Sequence, residues 1–188
     1  MTTSFMYRNY KESCVELCCA VFSSFLTNPP TKLPSEFGAE PKTPLKNWIR
    51  RINNYGQLDP FISLVALFYL HRLTVNNPQL RFSTVNGHRC FLVATILASK
   101  FTEDRSYRNI DWGEIGFSYY PLQLINDMER EFLNLLDYDL SFSKQDLANF
   151  IMFHLKRIEK IDPDLVISFK ELDPQFDNIL CVPSCVFL

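Results

Sequence analysis

Glycine is scarce, with five in 188 residues, while phenylalanine reaches 17. Glycine supplies the left-handed backbone that tight turns need, so this imbalance fits packed helices better than a loop-rich sheet. Long hydrophobic runs are also missing. A membrane-spanning helix needs roughly 20 apolar residues; the longest run here, 61–70, falls well short and is broken by Ser63. Charge of one sign never accumulates: the net charge is -2 and no run of like charge occurs, so no electrostatic footprint of nucleic-acid binding is visible. The opening stretch MTTSFMYRNYKESC lacks the apolar core of a signal peptide. These absences predict an intracellular chain, in the cytoplasm, the nucleus or both, with no nucleic acid among its partners and no stable membrane insertion. Its six cysteines are then expected to be reduced.

Among those cysteines no C-x-x-C pair is followed by a second such pair, so no metal site is expected. Cys14, Cys18 and Cys90 read as small buried hydrophobes. No glycine-rich phosphate loop, metal triad or Ser-His-Asp order stands out, so no catalytic residue and no cofactor are expected.

What is present is helical periodicity. The hydrophobic fraction of 47% is ordinary for a globular chain, and the length favours one domain with or without tails. Apolar residues Val15, Leu17, Cys18, Val21, Phe22 and Phe25 recur at helical spacing, predicting a helix over about 7–26. Segment 28–44 holds five prolines and reads as an extended connector. A helix over 44–55 follows, with Trp48, Ile49 and Ile52 on its apolar face and Lys42, Lys46 and Arg50 as a basic stripe. Asp59 is a good N-cap and Pro60 suits the first turn of the next helix, which stops at the NNP of 76–78. Another runs from near Ser83 to about Glu103. Both are apolar on nearly every side and should be central. A short helix over 109–115, one from about Pro121 to Tyr138 and one over 143–161 complete the pattern. Ser143 with Asp146 forms the capping box of the last. His154 reads as a core histidine, and the tail from Asp162 shows no clear period. The class is all-α, with two buried helices wrapped by the others.

Two charges stand out against this pattern. Winding 122–136 at about 100° per residue gathers Gln123, Asp127, Arg130 and Asn134 in a polar arc. Glu129 lands on the opposite, apolar arc, between Ile125, Phe132 and Leu133. Lys100 closes the apolar run ATILAS at 94–99. A carboxylate on an apolar face loses hydration and needs a cation nearby. Lys100 and Glu129 are therefore expected to meet. Two readings stay open on the residues alone: an internal salt bridge pinning two helices, or the charged centre of a docking surface.

The order of motifs resembles the cyclins. FISLVALFYLHRL at 61–73, LVATILASKFTED at 92–104 and MEREFLNLLDYDLSF at 128–142 look like successive cyclin-box helices. LTVNNPQLRFSTVNGHR and YRNIDWGEIG look more specifically like the phosphate-system, or P/U-type, members. The resemblance implies a single five-helix cyclin box over 44–142. Residues 1–43 are then an extra N-terminal helix and connector, and 143–188 a C-terminal helix and tail. It also implies a partner, a cyclin-dependent protein kinase, which the chain would activate allosterically without being an enzyme itself. Lys100 and Glu129 match the family's kinase-contacting lysine and glutamate; Phe101 and Leu133 match further interface positions. Asp104 matches an acid typical of the P/U type.

Departures from the family pattern matter too. LKNWIRRI at 45–52 replaces the MRAIL motif of substrate-docking cyclins, leaving Lys46 and Arg50 as candidates to recruit an acidic or phosphorylated partner. His71 stands where some members carry Asp. Cys185 to Leu188 has the C-a-a-X form, whose terminal leucine would direct geranylgeranyl transfer to Cys185. Phe187, which is not aliphatic, and the absence of a preceding basic cluster weigh against it. The rival reading is a helical adaptor with a cyclin-like fold and no kinase.

Overall fold

The structure, a computed structural model, describes residues 3–26, 41–83 and 86–170. Most of the proline-rich connector and the C-a-a-X tail lie outside these residues. Eight helices occupy the described residues: α1 Thr3–Phe25, α2 Leu45–Tyr55, α3 Pro60–Asn76, α4 Gly87–Thr102, α5 Asn109–Ile115, α6 Leu122–Leu135, α7 Lys144–Ile158 and α8 Pro163–Lys170. No strand occurs among the described residues. A lone bridge joins Leu26 to Phe82.

The two helices that are apolar on all sides are indeed central. Every residue of α3 from Pro60 to Leu70 is buried, as is every residue of α4 from Gly87 to Ser99. Such helices have no solvated face, so others must cover them: α1 and α2 on one side, α6 and α7 on others. The Asp59 carboxylate accepts from the Phe61 amide at 2.8 Å and starts α3. Several of the polar groups inside are paired. Ser63 donates to Asn53 at 2.6 Å, and Asn53 donates in turn to the Ile49 carbonyl at 2.9 Å. Tyr69 donates to the Leu140 carbonyl at 2.9 Å. Arg72 donates to the carbonyls of Asp139 and Ser141 at 2.8 and 2.6 Å. These bonds tie the end of α3 to the strap between α6 and α7, and so fix where α6 ends.

α1 is not a loose appendage. Cys14, Val15, Leu17, Cys18, Val21 and Phe22 are all buried. The Phe22 ring lies about 6 Å from those of Phe82 and Phe91. On its outer flank Glu12 pairs with Arg50 at 3.0 Å and Glu16 pairs with Lys46 at 2.6 Å; Glu16 also pairs with Arg50.

Helix limits differ from expectation at several places. α1 begins at Thr3 rather than about 7. α6 ends at Leu135 rather than about Tyr138, since Asp137 and Tyr138 adopt left-handed backbone that no helix continues through. α4 begins at Gly87 rather than near Ser83, because the Asn86 side chain accepts from the Ser83 amide and holds a turn there. α7 ends at Ile158, three residues before the expected 161. α8 follows where the sequence showed no period. Its cap is the Asp162 carboxylate, which accepts from the Leu165 amide at 3.0 Å, and Val166 is its buried anchor. The signal existed: Asp162-Pro163 repeats the Asp59-Pro60 start of α3. No helix among the described residues is long and apolar enough to cross a membrane. None of them gathers three metal-ligating side chains.

Candidate docking site

Lys100 and Glu129 meet. Lys100 lies in the last turn of α4, where the helix dipole favours a cation, and Glu129 lies midway along α6. Lys100 Nζ donates to Glu129 Oε1 at 2.6 Å. Their side chains are 33% and 15% exposed, so the pair sits at the surface with the carboxylate recessed. Lys100 has three donors, of which this bond uses one. Each oxygen of Glu129 keeps a lone pair beyond its present bond. The pair therefore offers both donors and acceptors outward.

The surroundings explain why Glu129 tolerates its apolar arc. Its second oxygen, Oε2, accepts from Asn109 Nδ2 at 2.6 Å, and the same nitrogen donates to Asn126 Oδ1 at 2.7 Å. The sequence reading missed Asn109 and Asn126. The signal for Asn126 was its place one turn before Glu129; nothing local marked Asn109, which reaches the site only through the packing of α5 on α6. Leu122, Asn126, Glu129 and Leu133 form one stripe at helical spacing along α6. Leu122, about two turns before Glu129 on this stripe, is exposed, as is Ile110, which follows Asn109 on α5.

The other predicted residues fall in different settings. Phe101 is half-buried, its ring 6.0 Å from that of Phe142, and Leu133 is half-buried against the core. Asp104 is exposed in the turn after α4. The basic stripe does not stand free: Lys46 and Arg50 are paired to Glu12 and Glu16 of α1. Those pairs leave little uncompensated charge for an acidic partner. Cys185 lies outside the described residues. Cys14, Cys18 and Cys90 are buried, as expected.

His71 joins no ion pair among the described residues. Its ring packs 5.5 Å from that of His154 and 5.3 Å from Phe150. Arg72 takes the local ion pair instead, at 3.7 Å from Asp139. His154 is 2% exposed, and its Nε2 has no hydrogen-bond partner among the described residues. Burial, then the neighbouring His71 and Arg157, pushes His154 down to about 4. Burial and Arg157 lower His71 as well. An unfolded histidine titrates near 6.5. Between 6.5 and about 4 the unfolded chain therefore binds the extra proton, so stability falls as the pH drops through that window. Asp111, Asp139 and Asp146 are held below the ordinary carboxylate range by hydrogen bonds from Arg108, Ser141 and Ser143. Their contribution is lost only at still lower pH. Melting temperatures between pH 7.5 and 4.5 should drop steeply for the wild type and distinctly less for His154→Leu. Equal slopes would contradict this assignment.

The structure is an all-α bundle built on two buried helices, with a lysine–glutamate pair at its surface between the second of them and α6. The chain belongs to the cyclin family: the family model described as Cyclin matches residues 8–140. That match takes in α1 from its first turns. Among curated relatives, Cyclin-U2-1 of Arabidopsis thaliana is 29% identical over 117 residues, which are 62% of this chain and 51% of the relative. Cyclin-U1-1 of the same plant is 27% identical over 140 residues, 74% of this chain and 64% of the relative. PHO85 cyclin-1 of Saccharomyces cerevisiae is 34% identical over 120 residues, 62% of this chain and 39% of the relative. These relatives agree with the P/U-type likeness. The chain spans about half the length of the curated relatives it matches.

Proposed function

We propose that this chain binds a cyclin-dependent protein kinase through the surface centred on Lys100 and Glu129 and activates it as a regulatory subunit. The observation that carries the reading is the pair itself: a recessed carboxylate and an accessible ammonium, joined at 2.6 Å, to which we assign exposed Leu122 on α6 and Ile110 on α5 as an apolar rim. Such a centre grips the end of a helix or a loop by its backbone, with lysine donating to carbonyls and glutamate accepting from amides, while the apolar rim excludes water. Phe101, Leu133 and Asp104 extend the contact.

Activation is allosteric. A kinase whose regulatory helix samples two positions shifts toward the one that this surface binds better. The kinase then completes its own lysine–glutamate pair and aligns ATP phosphates. A partner of this kind places the chain inside the cell.

The yeast relatives carry PHO85 in their names, which makes PHO85 the first kinase to try. Purified PHO85 and a panel of other cyclin-dependent kinases are titrated with the recombinant chain, reading binding and peptide phosphorylation. Saturable binding with a rise in rate on the order of tenfold or more is expected for at least one kinase. Binding to none of them would favour the adaptor reading instead.

A further inference from the structure

The amide of Asn109 is held in an unusual way. Asn109 is the first residue of α5. Its Nδ2 donates twice, to Glu129 Oε2 and to Asn126 Oδ1, at 2.6 and 2.7 Å. Its own Oδ1 is buried with no hydrogen-bond partner among the described residues. A buried acceptor left without a donor is unfavourable, and such orphans are rare enough to need a reason. Turning the amide over does not help. It would set the carbonyl oxygen against the Glu129 carboxylate and the Asn126 carbonyl, both acceptors. The arrangement is the one that keeps two donors aimed at α6 and accepts an orphaned oxygen in return.

The backbone beneath is fixed as well. The Arg108 amide donates to the Asp111 carboxylate at 3.0 Å, and the Arg108 guanidinium grips the same carboxylate at 3.1 and 3.2 Å. Asn109 thus starts from a pinned helix end. Glu129 is held from both sides, by Lys100 on Oε1 and by Asn109 on Oε2. A glutamate alone has three rotatable bonds, and ordering it at the moment of association costs affinity. A carboxylate ordered beforehand avoids that loss.

We propose that Asn109, steadied by its bond to Asn126, is a positioning residue that pre-orients the Glu129 carboxylate for the incoming partner. The proposal rests on the docking reading above for its consequence in binding, though not for the geometry. Asn109 acts through Glu129 and need not touch the partner.

Two measurements test it. The first needs no partner: the carboxyl 13C signal of Glu129 is followed in the isolated full chain. Asn109→Ala should move that signal and the Asn126 side-chain amide while leaving the Asp59 carboxyl in place. An unmoved Glu129 signal overturns the proposal whatever the chain binds. The second is a double-mutant cycle with PHO85, or with whichever kinase binds in the panel. Asn109→Ala should weaken binding by about two- to tenfold, the cost of ordering one flexible side chain on association. Asn109→Asp, which keeps the shape but faces Glu129 with a second carboxylate, should weaken it more. In a Glu129→Ala background Asn109→Ala should have no further effect. Losses that persist in that background would mean that Asn109 only holds the fold, and would overturn the proposal. If instead Glu129→Ala leaves binding unchanged, the docking reading fails while the carboxyl signal still decides the positioning. Circular dichroism and melting of each variant exclude unfolding as the cause.

Discussion

Glu129→Ala should weaken kinase binding by at least about tenfold, and Lys100→Ala by a similar factor, while both variants remain folded. Truncating one member of a hydrogen-bonded charge pair at the centre of an interface costs about 2–5 kcal/mol, much of it from the partner left behind. Within the free chain the same truncations matter less. Lys100 is one-third exposed, so it finds water when Glu129 is removed. Exposed pairs are worth roughly 0–1 kcal/mol. Removing Lys100 leaves a more recessed carboxylate, but Asn109 still donates to it. Melting should therefore shift by only a few degrees in either variant. Because the two side chains act as one unit, the double variant should bind little worse than the poorer single one. Calorimetric titration beside thermal melting checks all three. Affinities that fall only in step with stability would return the pair to the role of an internal staple.

Phe22→Ala should be among the most destabilising single changes in the chain. The side chain is fully buried, and its ring meets those of Phe25, Phe82 and Phe91. Removing a buried phenylalanine costs about 3–5 kcal/mol through lost transfer energy and the cavity left behind. A domain has only about 5–15 kcal/mol in total. The urea midpoint should fall sharply with the slope unchanged. That outcome treats α1 as part of one cooperative unit with α2–α6, in keeping with its buried face and its ion pairs to Lys46 and Arg50. A two-step transition, with α1 lost first, would make it a separate layer on an independent box. The distinction bears on the site: α1 packs on α3, which in turn backs α4, the helix that carries Lys100.

Much of this architecture was readable from residue order. α3 and α4 declared themselves because a helix apolar on every side has to be internal. Asp59-Pro60 and Ser143 with Asp146 fixed two helix starts, since capping chemistry is local. The misplaced Glu129 and the terminal Lys100 pointed at each other because an apolar arc does not tolerate a lone charge. Other features depended on distance. Asn109 lies 20 residues from Glu129 and donates to it only after α5 folds onto α6. Lys46 and Arg50 looked free because their partners, Glu12 and Glu16, sit on a helix across the connector. α8 was hidden by its length: eight residues give too few turns for a period to show.

The most direct test reverses the pair without breaking it. Lys100→Glu combined with Glu129→Lys keeps two opposite charges between α4 and α6, so an internal staple survives. The polarity offered to a second chain is inverted. Isothermal titration of that swapped protein with the kinase should show affinity lost by at least about tenfold while melting falls by only a few degrees, the cost of a carboxylate in the last turn of α4 and of the lost Asn109 bond. Wild-type affinity from the swapped pair would contradict the account.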